Sequence, residues 1–367
     1  MIAVGIGASS PVLWAANHST QPGAVFVMSN NAEKNQVISF KRASDGALTY
    51  EEAYDTEGRG SGGVNDPLES QGSLTLSQDQ SLLFAVNAGS GNISVFSVHG
   101  PKLTLVDKKA SGGSEPVAVS ENGSLVYVLN AGGAGSLVGF RLDFGGQLTQ
   151  IPNSTAFLTA NVTGGASISF SPNGQFLAVT ERLANNIDIF HVEPNGTLSP
   201  IVVNPSPGAG AFSVRFAPDG KAIVSETGPA SATNGSAISS YTVGTNGKLT
   251  AVSQSVPTLG AANCWNAITP NGNYVYVSNA GSSTISGFSI GATGTLTAIG
   301  DTVLGTNPAD ATNLDITVSA DGLYLYTFNS GTGNIGIFGI ESNGTLTNLG
   351  QAGDFPKFAG FNGIAAF

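Results

Sequence analysis

From Ser171 onward one pattern of apolar and polar positions returns. "SPNGQFLAVTERLANNIDIFHVEPNGTLS" (Ser171 to Ser199), "TPNGNYVYVSNAGSSTISGFSIGATGTLT" (Thr269 to Thr297) and "SADGLYLYTFNSGTGNIGIFGIESNGTLT" (Ser319 to Thr347) have equal length, and the last two share twelve identical positions. Inside each copy apolar residues alternate with polar or small ones, which is the period of a β-strand. Asp-Gly or Asn-Gly punctuates the alternation where a tight turn needs positive φ. The parse predicts a strand ahead of the first turn, a second such as "YVYVSN", a third such as "TISGFSI", and a fourth that begins "GTLT". Four consecutive strands joined by short turns form an antiparallel meander.

The second-strand signature ends at Asn30, Asn87, Asn130, Glu181, Glu226, Asn279 and Asn329, which counts seven units of about 52 residues each. That period fits a four-stranded propeller blade with its connection. The first unit starts directly with its second strand, "GAVFVMSN", whereas the C-terminus carries a spare strand, "FNGIAAF" (Phe361 to Phe367). The expected fold is therefore all-β: a seven-bladed β-propeller of four-stranded antiparallel blades, closed by the C-terminal strand pairing into blade one so that no sheet edge stays open. The expected division is an N-terminal extension, 1–22, followed by a single propeller domain, 23–367.

Composition narrows the chemistry. Only 10% of the residues are charged, the formal net charge is -11, and thirteen Lys and Arg leave no basic stripe for a phosphate backbone. Neither nucleic acid nor an anionic membrane is an expected partner, and a monomer is expected. Cys264 is the one cysteine, and His18, His99 and His191 stand apart, so no zinc-type spacing exists and neither metal nor cofactor is expected. The first sixteen residues or so are uncharged and mildly apolar without a basic start, which reads as a weak or trimmed export signal and makes an extracytoplasmic location the expectation over a cytoplasmic one.

Five stretches carry a family likeness: "GRGSGGVNDPLESQGSL" (Gly58 to Leu74), "LFAVNAGSGNISVFSV" (Leu83 to Val98), "GGSEPVAVSENGSLVYVLNAGG" (Gly112 to Gly133), "IVSETG" (Ile223 to Gly228) and "CWNAITPNGNYVYVSNAGSSTISGF" (Cys264 to Phe288). On these the chain resembles the seven-bladed propeller lactonases, which include a 6-phosphogluconolactonase type and the carboxymuconate-lactonizing enzymes. The resemblance implies opening or closing of a lactone ring on a small polar or carboxylated substrate at the channel mouth, without metal. It also implies histidines and an arginine at the starts of the inner strands of blades four and five. Here those stretches read "TGGASISFSPNG" and "GAFSVRFAPDG", with no histidine. The alternative is a noncatalytic propeller that binds a small molecule or a protein.

The loops after the second strands and the connections between blades share one face around the channel, where propellers bind small molecules. Five blades end their second strand in Asn, and blades four and five substitute Glu181 and Glu226, with Arg182 next to the first. Neighbouring carboxylates can divide general acid and base work, and an arginine can hold an anion, so these three residues are the catalytic candidates. A structural ion-pair network is the competing reading. Candidate substrate contacts are Arg59, Glu69, Gln71, Asn87, Asn130, Trp265, Asn279 and Asn329; the asparagines serve equally well as strand caps. Arg215 stands mid-strand where sister blades carry Thr75, Ser169, Ala267 and Thr317, and it requires a partner. Cys264 has no base beside it and reads as a small buried residue. The segment Thr227 to Ala237 lengthens one loop and reads as a lid or as decoration.

Overall fold

The computed structural model describes residues 23–160, 164–229 and 232–367, so the proposed extension 1–22 lies outside the described residues. These residues form seven antiparallel sheets, and in six of them the strands follow chain order from the inner strand to the outer one. Blade one is completed from the other end of the chain: Ile364–Ala366 pairs antiparallel with Ala24–Met28, with Val25 opposite Ala366 and Val27 opposite Ile364. The closure read from the sequence is the one observed.

Blade three departs from the plain meander. Its outer edge is split, and Leu148–Gln150 and Ala156–Phe157 both pair with Ser136–Leu142. Pro152 and Asn153 lie between the two pieces, Asn153 with φ of 58°. A proline has no N–H for the ladder and the left-handed residue turns the chain, so the strand breaks there.

Sheets meet face to face, and the alternating Val, Ile, Leu and Phe of each second strand are buried on both sides. A tyrosine in the second strand fixes the angle between several neighbours. Tyr127, Tyr276 and Tyr326 donate to the carbonyls of Gly196, Gly344 and Gly46 at 2.6, 2.9 and 3.1 Å, each glycine lying in the outer hairpin turn of the next blade. The last of these bonds joins blade seven to blade one. A buried phenol must find an acceptor, and a turn carbonyl at positive φ offers one.

Candidate functional site

The inner strands line a central channel, and their first residues depart from strand geometry. The register to the second strand slips at the start of Gly165–Phe170, Ala211–Phe216, Asn263–Ile268 and Asn313–Val318. A bulge turns a side chain away from the direction that alternation assigns to it. In blade seven the bulged residue is Asp315, between Leu314 and Ile316.

One segment crosses the channel at this level. Asp66 to Gln71 leaves the connection between blades one and two and bonds to every other blade. Asn362 of the closing strand donates to Asp66 at 2.6 Å, and the Ser70 hydroxyl donates to Val117 of blade three at 2.9 Å. The Gln71 backbone N–H donates to Ala166 of blade four at 2.9 Å, next to a parallel bridge with Ser167. The Gln71 side-chain oxygen accepts from Ser213 of blade five and from the Asn266 N–H of blade six, while its NH2 donates to the Asn266 carbonyl and to Asp315 Oδ1, both at 3.0 Å. Trp265 donates from its indole to the Ser70 carbonyl at 2.9 Å.

Below this strap the channel remains open as a cavity of about 280 Å³. Its walls are the lower halves of the inner strands, with Leu76, Phe216, Ile268 and Val318 toward the first hairpin turns and Gln71, Asn266 and Asp315 at the strap. Arg215 projects into it. Among the described residues the guanidinium has no salt-bridge or hydrogen-bond partner; burial lowers its pKa, against the longer-range attraction of Asp315. Asp315 is held by the Ile316 N–H at 2.8 Å and the Ile364 N–H at 3.2 Å in addition to Gln71. Burial pushes its pKa up to about 6 against the pull of Arg215 and these bonds. An acid of that pKa, lining the same cavity as a cation, can take up and return a proton near neutrality. Asp66, on the strap, is raised to about 7, chiefly by burial, with the charge of Glu69 adding to it.

The strand-end residues occupy a different environment. Asn87, Asn130, Asn279, Asn329, Glu181 and Glu226 have no accessible surface. Each lies under the connection entering its own blade. Asn87 accepts from Asn35 at 2.9 Å and Thr56 at 2.7 Å and donates to Ser94 at 2.9 Å. Asn279 donates to Thr284 at 3.1 Å and Ser286 at 2.8 Å, and Asn329 donates to Asn307 at 3.1 Å and Asn334 at 2.9 Å. Glu181 accepts from the N–H and hydroxyl of Thr159. Glu226 accepts from Ser206 at 3.0 Å, Gly208 N–H at 3.2 Å and Ser239 at 2.7 Å. Instead of forming a carboxylate pair across two blades, each glutamate is held by its own blade, and the charge that couples to Glu181 is Asp188. These six side chains are therefore buried beneath the connections and not exposed at an open mouth.

Arg182 pairs with Glu69 on the strap. Arg59 is exposed, and its backbone N–H donates to the Ser90 hydroxyl at 2.9 Å. Trp265, expected as a wall of the mouth, is 1% exposed, packs edge-on against Phe212 at 5.3 Å and holds the strap. Burial raises the Cys264 thiol well above its usual range, against a thiolate role. The long loop after Glu226 folds back on itself through a 2.7 Å bond from Ser236 to the Thr227 carbonyl. Gln71 alone of the sequence candidates lines the cavity; Asp315 and Asn266 were not singled out, and the bulges explain why. Among the described residues no group of three or more His, Cys, Asp or Glu is placed to hold a metal ion, and no helix is long and apolar enough to cross a membrane.

Residues 136–266 and 260–357 match the model of the family described as lactonase, 7-bladed beta-propeller. No curated protein matches. Among solved structures, a Lactobacillus plantarum protein superposes with TM-score 0.71 at 18% identity, covering 95% of this chain and 100% of its own. A candidate 6-phosphogluconolactonase from Bacteroides uniformis gives TM-score 0.69 at 18% identity, with 95% and 99% covered. The periplasmic gluconolactonase of Pseudomonas aeruginosa gives 0.67 at 17% identity, with 94% and 98% covered. At these identities the likeness is one of fold.

Proposed function

The chain belongs to the seven-bladed β-propeller lactonases, and from that premise we propose that it opens or closes the lactone ring of a small polar or carboxylated substrate inside the lower channel, without a metal. The observation that carries this reading is Asp315, a carboxyl with a pKa of about 6, facing the unbonded Arg215 across a cavity of about 280 Å³. In the opening direction ionised Asp315 takes a proton from water as the water oxygen attacks the lactone carbonyl carbon. Arg215 stabilises the oxyanion that forms. The ring C–O bond then breaks, the departing ring oxygen recovers the proton from Asp315, and the product is a hydroxy acid that ionises and releases one proton.

Proton release from a panel of sugar lactones and simple γ- and δ-lactones tests the reading. Turnover is expected to rise with pH through about 6, and Asp315→Asn is expected to lower kcat by about 10²-fold or more while the protein stays folded. Prolonged EDTA treatment is expected to change neither turnover nor melting temperature. The competing placement uses Glu181, Arg182 and Glu226; it predicts that Glu226→Gln abolishes turnover and that Asp315→Asn does not. The channel reading predicts the reverse. A second reading, a binding propeller without catalysis, draws support from the absence of histidine in the stretches "TGGASISFSPNG" and "GAFSVRFAPDG", where the family resemblance implies it. Complete inertness toward the panel by a folded protein would favour it.

A further inference from the structure

We propose that the lower channel is a one-ended binding site for a small carboxylate, a hydroxy acid of roughly ten non-hydrogen atoms, entered from the face of the first hairpin turns and held there by Arg215. The proposal deepens the lactone reading by naming the ligand class, and it rests on that reading only for the hydroxyl.

Charge supplies the first argument. Arg215 stands at a level of the ring where the equivalent positions are Thr75, Ser169, Ala267 and Thr317, so it is a single cation among neutral side chains. No group among the described residues bonds to its guanidinium. The guanidinium is only partly buried and lines the open cavity, and a planar fork of donors is matched by a carboxylate. Asp315 does not fill this role, because its two oxygens already accept from Gln71, Ile316 and Ile364.

Shape supplies the second. The strap bonds across the channel above Asp315, so the cavity is approached from the opposite end, where Leu76, Phe216, Ile268 and Val318 are partly exposed. About 280 Å³ is the volume of roughly nine waters. An apolar rim and, one residue further in, a level that holds Arg215 together with the hydroxyls of Thr75 and Thr317 suit a short chain with a carboxylate on the cation and hydroxyl or methylene groups beside it.

Saturation-transfer NMR with acetate, 4-hydroxybutyrate and gluconate, and with γ-butyrolactone as the uncharged counterpart of the second, tests the site without requiring turnover. At least one carboxylate is expected to bind at millimolar concentration or below, more tightly than the neutral lactone. Arg215→Met is expected to weaken it at least tenfold, Arg215→Lys to retain part of the affinity, and Leu76→Trp to obstruct entry. Should Arg215→Met fail to fold, the Lys and Leu76→Trp variants still decide. Absence of carboxylate binding, equal binding by Arg215→Met, or unimpeded binding by Leu76→Trp would overturn the proposal. Carboxylate binding through Arg215 with no lactone turned over would refute the reaction and leave the site standing; Asp315→Asn should then still bind.

Discussion

Two carboxyls in blade four show how much one substitution changes at a buried strand end. In blades two and six the cap is an asparagine whose amide donates to a serine seven residues on, Ser94 or Ser286, at 2.9 and 2.8 Å. Blade four has Glu181 as the cap and Asp188 in place of the serine, both with no accessible surface. Two carboxylates are acceptors only, so a bond between them exists only when one holds a proton. Burial first, and Glu181 second, raise the Asp188 pKa from 3.8 to about 8. The sign follows: an acid that binds its proton more tightly folded than unfolded contributes stability fully present below about pH 4, and that contribution is lost as pH rises through about 8. Asp188→Asn supplies an N–H donor at every pH. It is expected to melt a few degrees above the wild type at pH 8.5, with the gap shrinking toward pH 5, in a fluorimetric pH series. Equal melting temperatures at both ends would mean that the pair is not sharing a proton. Glu181 and Glu226 were visible in the sequence as breaks in a row of asparagines. What covers them was not visible, because the covering residues come from the preceding connection.

At the scale of the element, that connection carries its own repeated device. Thr56-Glu57-Gly58, Ser111-Gly112-Gly113, Ser206-Pro207-Gly208 and Thr258-Leu259-Gly260 each precede an inner strand. The hydroxyl residue bonds near the cap, and the glycine lies against the cap's side chain. A Cβ on Gly58, Gly113 or Gly260 would stand 2.2, 2.6 or 2.2 Å from the Cγ of Asn87, Asn130 or Asn279. Gly260→Ala is therefore expected to destabilise by about 1–3 kcal/mol, the usual range for overpacking. Combining it with Asn279→Ala should cost less than the sum of the two single changes, since the second removes the atom in the way. Additive losses in urea melts would show that the contact is not what selects glycine. Strand number, turn positions and blade count were legible because period-two alternation and Asn-Gly turns are local signals. Asp315 was not, because the bulge between Leu314 and Ile316 breaks the alternation where the strand meets the channel, and the side chain it redirects cannot be assigned by parity.

Across the whole molecule, ring closure and the channel are one structure. The last residues complete blade one through Ile364–Ala366 and through paired bonds between Ala24 and Phe367 at 3.1 and 3.0 Å. Phe361 stacks on Phe328 of blade seven at 5.7 Å, and Phe367 packs against Phe26 at 6.2 Å. The same heptapeptide supplies the Ile364 N–H to Asp315 and the Asn362 amide to Asp66 on the strap. The complementary chain ends revealed the closure in the sequence; the coupling to the channel arises from contacts between residues 49 and 296 positions apart, which no local pattern encodes. Ending the chain after Gly360 should leave Ala24–Met28 as an open edge and the Asp315 carboxyl short of one donor. A melting temperature at least ten degrees lower, or aggregation, is the expected result, together with weakened carboxylate binding in whatever folds. The synthetic peptide Phe-Asn-Gly-Ile-Ala-Ala-Phe, added in excess, should pair with the open edge and recover part of the loss, because backbone bonding to an exposed strand does not require a covalent link. A truncated protein that melts like the full chain would show that the contacts between blades hold the ring unaided. If the peptide fails to rescue a truncated protein that is destabilised but still folded, the edge has closed on itself and the strand is not the ring's closing element.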